Sequence, residues 1–377
     1  RHLVTEPLRM GIGTICHSPD GGYYGKHQSG IQTFGFALCP GTKPDRSFDR
    51  FLPLPENRLY QNAGRAPSGC LYPKQTVIID RDWATFLSSA SQVSDARLAE
   101  REASLQFDDP VNIQYTSGTT GYPKGATLSH HNILNNGFFI GVPSSMRKLP
   151  APVALPVPFY HCFGMVLGNM AIVTHGACIV IPGEFFDPEQ VLQTVENERC
   201  TSLYGVPTMF IAELDLPDFA KYNLKSLRTG IMAGAPCPID TMRKVQSLMN
   251  MTEICVCYGM TETSPVSTES CTDDPLELRV TTVGTVHPHV EIKIIDPESG
   301  AIVPRGTAGE LCTRGYSVML GYWDNPEDTK AIIDETRWLH SGDIAVMDEN
   351  GYVSKYLHLE KDSQLVKVGD KVKKGQQ

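Results

Sequence analysis

Between Tyr115 and Ala126 the chain reads Thr116-Ser117-Gly118-Thr119-Thr120-Gly121-Tyr122-Pro123-Lys124-Gly125, a run of hydroxyls and glycines closed by a lysine. Glycines let a backbone approach an anion closely, N–H groups and hydroxyls donate to its oxygens, and Lys124 adds a point charge. That is the chemistry of a phosphate cradle. It is not the P-loop pattern, which requires Gly-Lys-Ser/Thr, because Lys124 is followed by Gly125. Composition alone also permits a hydroxyl-rich surface loop. Further on, Tyr258-Gly259-Met260-Thr261-Glu262-Thr263 sets an aromatic ring, a hydroxyl and a carboxylate within five positions. Such groups suit a base face, a phosphate oxygen and a hard divalent cation, although as three isolated residues an ordinary structural reading is the stronger one. Phe159-Tyr-His161-Cys-Phe163 offers a histidine among aromatics, which is more often a packed residue than a reacting one.

These groups need elements to carry them. Val111–Tyr115 reads as a strand, followed by the Gly/Thr-rich loop and a helix opening near Ser129, so that the loop is expected directly before a helix. From there short apolar runs alternate with helical patterns, as in parallel α/β sheets. Strands are expected near 153–157, 177–181, 201–204, 227–232 and 253–258, and helices near 163–173, 188–199 and 239–249. Leu203–Pro207 and Ala233-Gly234-Ala235-Pro236 are small-residue turns at strand ends, the edge at which open parallel sheets bind ligands. The runs 290–295 and 309–314 read as antiparallel or mixed strands. Upstream, residues 1–105 are irregular, with a short strand at 77–80 and a helix at 94–106 as the only expectations.

Composition excludes several function classes. The chain of 377 residues carries a formal charge of -9 with its basic residues scattered apart from the C-terminus, which argues against nucleic-acid binding. Eleven cysteines at irregular spacing do not form a disulfide framework, and the pair Cys255 and Cys257 reads as two buried strand residues. The most apolar stretch, 164–182, is interrupted by Asn169, Thr174 and His175, so no membrane span is expected. Because the chain opens at Arg1, a targeting peptide would not be visible.

The run Tyr-Thr-Ser-Gly-Thr-Thr-Gly-x-Pro-Lys-Gly closely resembles the signature loop of the adenylate-forming superfamily. That superfamily includes acyl-CoA synthetases, aryl-CoA ligases, luciferases and peptide-synthetase adenylation domains. The resemblance continues in order over about 110–353 and is closest to the acyl-CoA synthetase family member 2 type of medium-chain acyl-CoA ligase. It implies an α/β fold, the large N-terminal domain of the adenylate-forming enzymes, with parallel-rich sheets flanked by helices and a smaller mixed β region. By resemblance Glu262 is the magnesium ligand, Thr261 an α-phosphate contact, and Gly234, Ala235 and Pro236 border the adenine and acyl pockets. Trp338-Leu-His-Ser-Gly-Asp343 looks like the motif in which Asp343 accepts hydrogen bonds from both ribose hydroxyls, for which a carboxylate is a natural acceptor. In acyl- and aryl-activating relatives a histidine at His161 lies beside the reacting carboxylate, whereas amino-acid-activating relatives carry an aspartate in that motif. The resemblance thus implies ATP, Mg²⁺ and coenzyme A, and a fatty or other apolar carboxylic acid as substrate. It also implies a mitochondrial matrix location, with the cytoplasm as the alternative. Gly309–Gly315 and Val318–Trp323 match stretches whose role is mainly structural.

One departure is large. After Gly351-Tyr-Val353 the family continues into a Gly-Arg-x-x-Asp hinge and a lid domain carrying an adenylation lysine, but here the sequence reads Ser354-Lys-Tyr-Leu-His-Leu-Glu-Lys-Asp362 and then a basic tail. The expected organisation is therefore 1–105 irregular and outside the resemblance, 106–282 an α/β ATP- and acyl-binding core, 283–353 a mixed β subdomain, and 354–377 a divergent tail in place of hinge and lid. The tail resembles the opening of a biotinyl or lipoyl carrier domain without its attachment lysine, and a solvated basic tail is the stronger reading. Weak ATP binding and poor catalysis by this chain alone are expected. A non-catalytic nucleotide-binding remnant and an aryl-CoA ligase or luciferase-like enzyme stand as the alternative functions.

Overall fold

The computed structural model describes residues 79–116, 123–144 and 152–356. Of the expected 77–80 strand, residues 77 and 78 lie outside the described residues, while 79 and 80 open a helix, α1 (Ile79–Ser88). Trp83 and Phe86, three apart and stacked at 5.7 Å, share one face of that helix, a period of about 3.6 that outweighs the short apolar run before it. A second helix, α2 (Asp95–Ser104), starts where Ser94 accepts a hydrogen bond from the Arg97 amide.

The centre of the molecule is a seven-stranded sheet. Its strands are β3 (Pro152–Ala154), β4 (Cys178–Val180), β5 (Ser202–Gly205), β6 (Thr229–Met232), β7 (Glu253–Gly259), β8 (Val266–Glu269) and β9 (Thr285–Val286), in the order β4-β3-β5-β6-β7-β8-β9. The first five run parallel and the last two antiparallel. Successive residues of the parallel strands are buried on opposite faces. Val153, Tyr204, Ile231 and Cys257 enter one apolar cluster, and Ala154, Leu203, Met232 and Val256 enter another. Both faces are covered, which is why these strands read as unbroken apolar runs instead of alternating ones.

The first face is covered by α3 (His130–Ile140), by a π-helical stretch Phe163–Met170 and by the short α4 (Ala171–Thr174). A single helix was expected over 163–173; the wider π turn occupies its first eight residues. The second face is covered by α5 (Pro188–Asn197), α6 (Pro207–Leu214) and α7 (Ile239–Leu248). Proline opens both α5 and α6, where its missing N–H costs nothing. The short α8 (Leu276–Thr281) leads from β8 to β9.

The signature loop is not followed directly by a helix. Strand β1 (Pro110–Thr116) turns back antiparallel into β2 (Lys124–Ser129), with Thr116 opposite Lys124, and only then does Ser129 cap α3. Ala126 and Leu128 enter the first apolar cluster with no exposure, and the stretch before the helix pairs with β1 as a strand buried almost throughout. The loop is therefore the connection of a β-hairpin. β12 (Gly321–Tyr322) adds to β2 on its other edge, and α9 (Pro326–Ile332) follows. The third sheet, β10-β11-β13-β14, from β10 (Val290–Ile295), β11 (Gly309–Gly315), β13 (Leu339–Met347) and β14 (Val353–Tyr356), is antiparallel throughout. Among the described residues no helix is long and apolar enough to cross a membrane.

Candidate nucleotide site

Because β5, β6 and β7 are parallel, their C-terminal ends share one edge of the sheet, and there the Gly205, Ala233-Gly234 and Tyr258-Gly259 turns stand side by side. Gly234 has φ +87°, a left-handed conformation that a side chain would strain. Ala235 and Pro236 follow it, both exposed. At Gly259 a Cβ would sit 1.7 Å from the Pro265 carbonyl oxygen, so only glycine lets the chain fold back there into β8.

Thr261, Glu262 and Thr263 form one buried turn of 3₁₀ helix after β7. Its Glu262 main chain accepts a 2.9 Å hydrogen bond from the Met319 amide, and its carboxylate Oε1 accepts one of 2.7 Å from the Tyr322 hydroxyl. The Tyr322 ring lies under Lys124, with Nζ 5.3 Å from the ring centroid, and Nζ also pairs with Asp328 Oδ2 at 3.1 Å. Lys124, 138 positions away in sequence, is thus joined to Glu262 through a single tyrosine. Burial pushes the Tyr322 phenol well up, with Glu262 adding to the shift, so the hydroxyl remains a donor. Asp328 is held below its usual range by its bonds to Lys124 and Asn325.

On the other side of the same turn, Thr261 Oγ1 meets Cys162 Sγ at 3.5 Å, and Cys162 Sγ lies 3.7 Å from His161 Nδ1. His161 Nδ1 also accepts from the Phe163 amide at 3.1 Å, which fixes the ring at the mouth of the π-helical stretch. The Cys162 sulfur raises the imidazole above its ordinary value, against the lowering effect of burial. Gln114 of β1 donates to the Tyr160 carbonyl and so ties this segment to the hairpin.

Tyr258 is buried among Ile294, Leu311, Ala345 and Val353, and its hydroxyl donates to Asp343 Oδ2 at 2.9 Å. The Asp343 amide in turn donates to Ser341 Oγ at 3.1 Å. The Tyr258 and Asp343 motifs, 85 positions apart, are bonded directly.

The structure therefore gathers His161, Thr261, Glu262, Lys124, Tyr258, Gly259 and Asp343 around the C-terminal end of β7. Thr116 and Pro123 mark the two ends of the hairpin connection; Ser117, Gly118, Thr119, Thr120, Gly121 and Tyr122 lie outside the described residues. Sequence reasoning passed over Tyr322, Asp328 and Cys162. Tyr322 sits in a stretch assigned a structural role, and its place between a lysine and a glutamate depends on β12 pairing with β2.

A family profile described as AMP-binding enzyme matches residues 59–323, most of the 377-residue chain. The chain belongs to the AMP-binding enzyme family. Relatives agree with this. The protein is 51% identical over 263 residues to a putative acyl-CoA synthetase YngI of Bacillus subtilis, covering 70% of this chain and 48% of the relative. It is 47% identical over 258 residues to the mitochondrial medium-chain acyl-CoA ligase ACSF2 of Danio rerio, covering 68% and 42%. Among solved structures, ATP-bound MatB from Rhodopseudomonas palustris superposes with a TM-score of 0.59 at 30% identity, over 75% of this chain and 58% of that one. The N-terminal domain of FACL13 from Mycobacterium tuberculosis matches with a TM-score of 0.59 at 25% identity, over 70% and 66%. This AMP-binding chain thus spans about half the length of the curated relatives it matches.

Proposed function

We propose that this chain is the nucleotide-binding portion of an AMP-forming acid–thiol ligase acting on medium-chain fatty acids. The substrate carboxylate attacks the α-phosphate of ATP, forming an acyl–O–P bond and releasing pyrophosphate; a coenzyme A thiol then attacks the acyl carbon, and AMP leaves. The observation that carries this reading is the Lys124–Tyr322–Glu262 arrangement, with Thr261 and His161 on its far side. A cation and an anion-binding hydroxyl on one wall, and a histidine on the other, suit a reaction whose charge develops on phosphoryl oxygens.

Glu262 fits a magnesium ligand. It is a buried hard-oxygen donor with one oxygen oriented by Tyr322. Magnesium bound there would screen the charge of the polyphosphate. Lys124 would bind the phosphate tail, with the hydroxyls of Thr116, Ser117, Thr119 and Thr120 and the backbone N–H groups of Gly118 and Gly121 completing the cradle, and Pro123 fixing the turn into Lys124. Asp343, oriented by Tyr258, would accept from the ribose hydroxyls, while Gly234, Ala235 and Pro236 would line the adenine and acyl side. His161 would lie beside the reacting carboxylate. Relatives named medium-chain acyl-CoA ligases support the chain length, and their mitochondrial naming supports the same location here.

Replacing Glu262 with Gln keeps the hydrogen bond from Tyr322 but removes the charge. Pyrophosphate exchange into ATP, driven by octanoate, is expected to fall by roughly 10²-fold or more, the scale on which removing one transition-state electrostatic contact acts. Exchange at the parent rate would reject the metal role. No Gly-Arg-x-x-Asp run follows Val353 in residues 354–377, so the same assay should rise when a lid segment bearing that run and a lysine is appended. Benzoate favoured over octanoate would favour the aryl-activating alternative.

A further inference from the structure

A second cluster lies on the antiparallel sheet, on β11 and β13. Glu310 and Cys312 are two apart on β11 and therefore share a face, and the strand register sets Cys312 directly opposite His340 of β13. His340 Nδ1 is 3.1 Å from Glu310 Oε2 and 3.7 Å from Cys312 Sγ, and the three donor atoms all lie within 4.8 Å of one another. Donors around a tetrahedral zinc ion stand about 3.5 Å apart, given bonds of about 2.3 Å to sulfur and about 2.0 Å to nitrogen and oxygen.

We propose that Glu310, Cys312 and His340 form a binding site for a thiophilic divalent cation of the zinc class, separate from the magnesium site at Glu262. An independent feature supports it. With Nδ1 turned to the ion, the ring proton sits on Nε2, which faces Asp334 Oδ2 at 3.9 Å. The other oxygen of Asp334 accepts from the Thr336 amide and hydroxyl and from the Trp338 amide, so this carboxylate is fixed. A carboxylate behind the distal nitrogen is the usual partner of a metal-bound histidine. Glu310 is also anchored, because its Oε1 accepts from the Gly342 amide at 3.0 Å and leaves Oε2 for the ion. Cys312 is buried, while Glu310 and His340 are partly exposed and give the ion a way in.

The donor set selects the class of ion. One soft sulfur and one borderline imidazole nitrogen beside a single hard carboxylate oxygen make a mixed donor set that zinc and cobalt accept and magnesium does not. Lys293, directly opposite Cys312 on β10, sets its ammonium over the Trp338 ring at 4.5 Å. Three protein ligands leave a fourth position for water. An ion there would cross-link β11 to β13 three residues before Asp343.

Cobalt titration of the 377-residue chain, followed by absorption, tests this. We expect a sulfur-to-cobalt charge-transfer band and tetrahedral d–d bands that saturate at about one equivalent. Cys312→Ser should abolish the charge-transfer band. Glu310→Gln, which keeps an acceptor for the Gly342 amide, and Asp334→Asn should each weaken binding by about 10- to 100-fold. Thermal unfolding run beside each variant identifies any that fails to fold, and the two conservative variants then carry the result. A band absent from the parent, one unchanged in all three variants, or cobalt displaced by millimolar magnesium would each overturn the site.

Discussion

At the level of single residues, Tyr322 and Cys162 are the two whose importance comes entirely from what they touch. Tyr322 bonds the Glu262 carboxylate and supports the Lys124 ammonium, so two groups of opposite charge are held at one wall without neutralising each other. Cys162 lies between His161 and Thr261 and raises the imidazole above its ordinary value. Removing the cause reverses the sign: in Cys162→Ala the His161 titration, followed by NMR of the ring protons, should move to lower pH. Any activity limb that reports His161 should move with it. An unmoved or raised titration would mean that another group sets the His161 proton. These contacts were not legible in the sequence, because 99 positions separate Cys162 from Thr261 and 60 separate Glu262 from Tyr322.

At the level of elements, the entry to α3 decides how the hairpin meets the rest of the site. Ser129 and Asn132 form a reciprocal capping box, with the Ser129 amide donating to Asn132 Oδ1 at 2.7 Å and the Asn132 amide to Ser129 Oγ at 3.2 Å. Asn132 does more than cap. Its side-chain amide donates to the Tyr316 carbonyl and, at 3.3 Å, to that of Val318, fastening the helix to the segment that leads into β12. Ser129→Ala should therefore cost about 1 kcal/mol, the worth of one cap. Asn132→Ala should cost about 2–3 kcal/mol, because it leaves buried carbonyls without their donor. Chemical denaturation compares the two, and equal losses would show that the link to 316–318 contributes nothing. The helix start at Ser129 was readable from its cap residue, whereas the strand before it was not, since it is a six-residue run, buried almost throughout, with glycine at the second place.

For the molecule as a whole, a buried pair at the antiparallel end of the main sheet should contribute to pH-dependent stability. Glu269 of β8 and His287, just after β9, meet at 3.0 Å through Oε2 and Nε2, and both are buried. Burial pushes the carboxyl well above 4.5 and the imidazole down to about 3, so the folded pair is neutral, with the carboxyl proton donated to His287 Nε2. The sign follows from counting protons. Between the unfolded values of 4.5 and 6.5 the folded chain holds one proton on Glu269 and the unfolded chain one on the histidine, so the pair's contribution is flat. Below 4.5 the unfolded state takes up a second proton and stability falls by about 1.4 kcal/mol per pH unit, down to about pH 3. Above 6.5 the unfolded state holds none, and stability falls again as pH rises toward the elevated value of Glu269. Glu269→Gln can still donate to His287 but no longer titrates, so the alkaline decline should flatten in a pH series of thermal unfolding. A decline as steep as the parent's would assign it to other groups.

The sequence carried the family: the hydroxyl–glycine–lysine run, the Tyr258–Glu262 turn and the Asp343 motif resemble the adenylate-forming enzymes in order, and the AMP-binding family match agrees. The unbroken apolar runs of 201–204, 227–232 and 253–258 required strands buried on both faces. Those are local signals, set by side-chain period and by the few residue types that tolerate tight turns or bind phosphate. The tertiary structure alone decided that the signature loop closes a β-hairpin, that one tyrosine joins Lys124 to Glu262, and that Glu310, Cys312 and His340 converge. Such neighbours depend on strand order and register across the chain, and the two-residue period of a strand specifies which face a side chain takes, not which strand lies beside it.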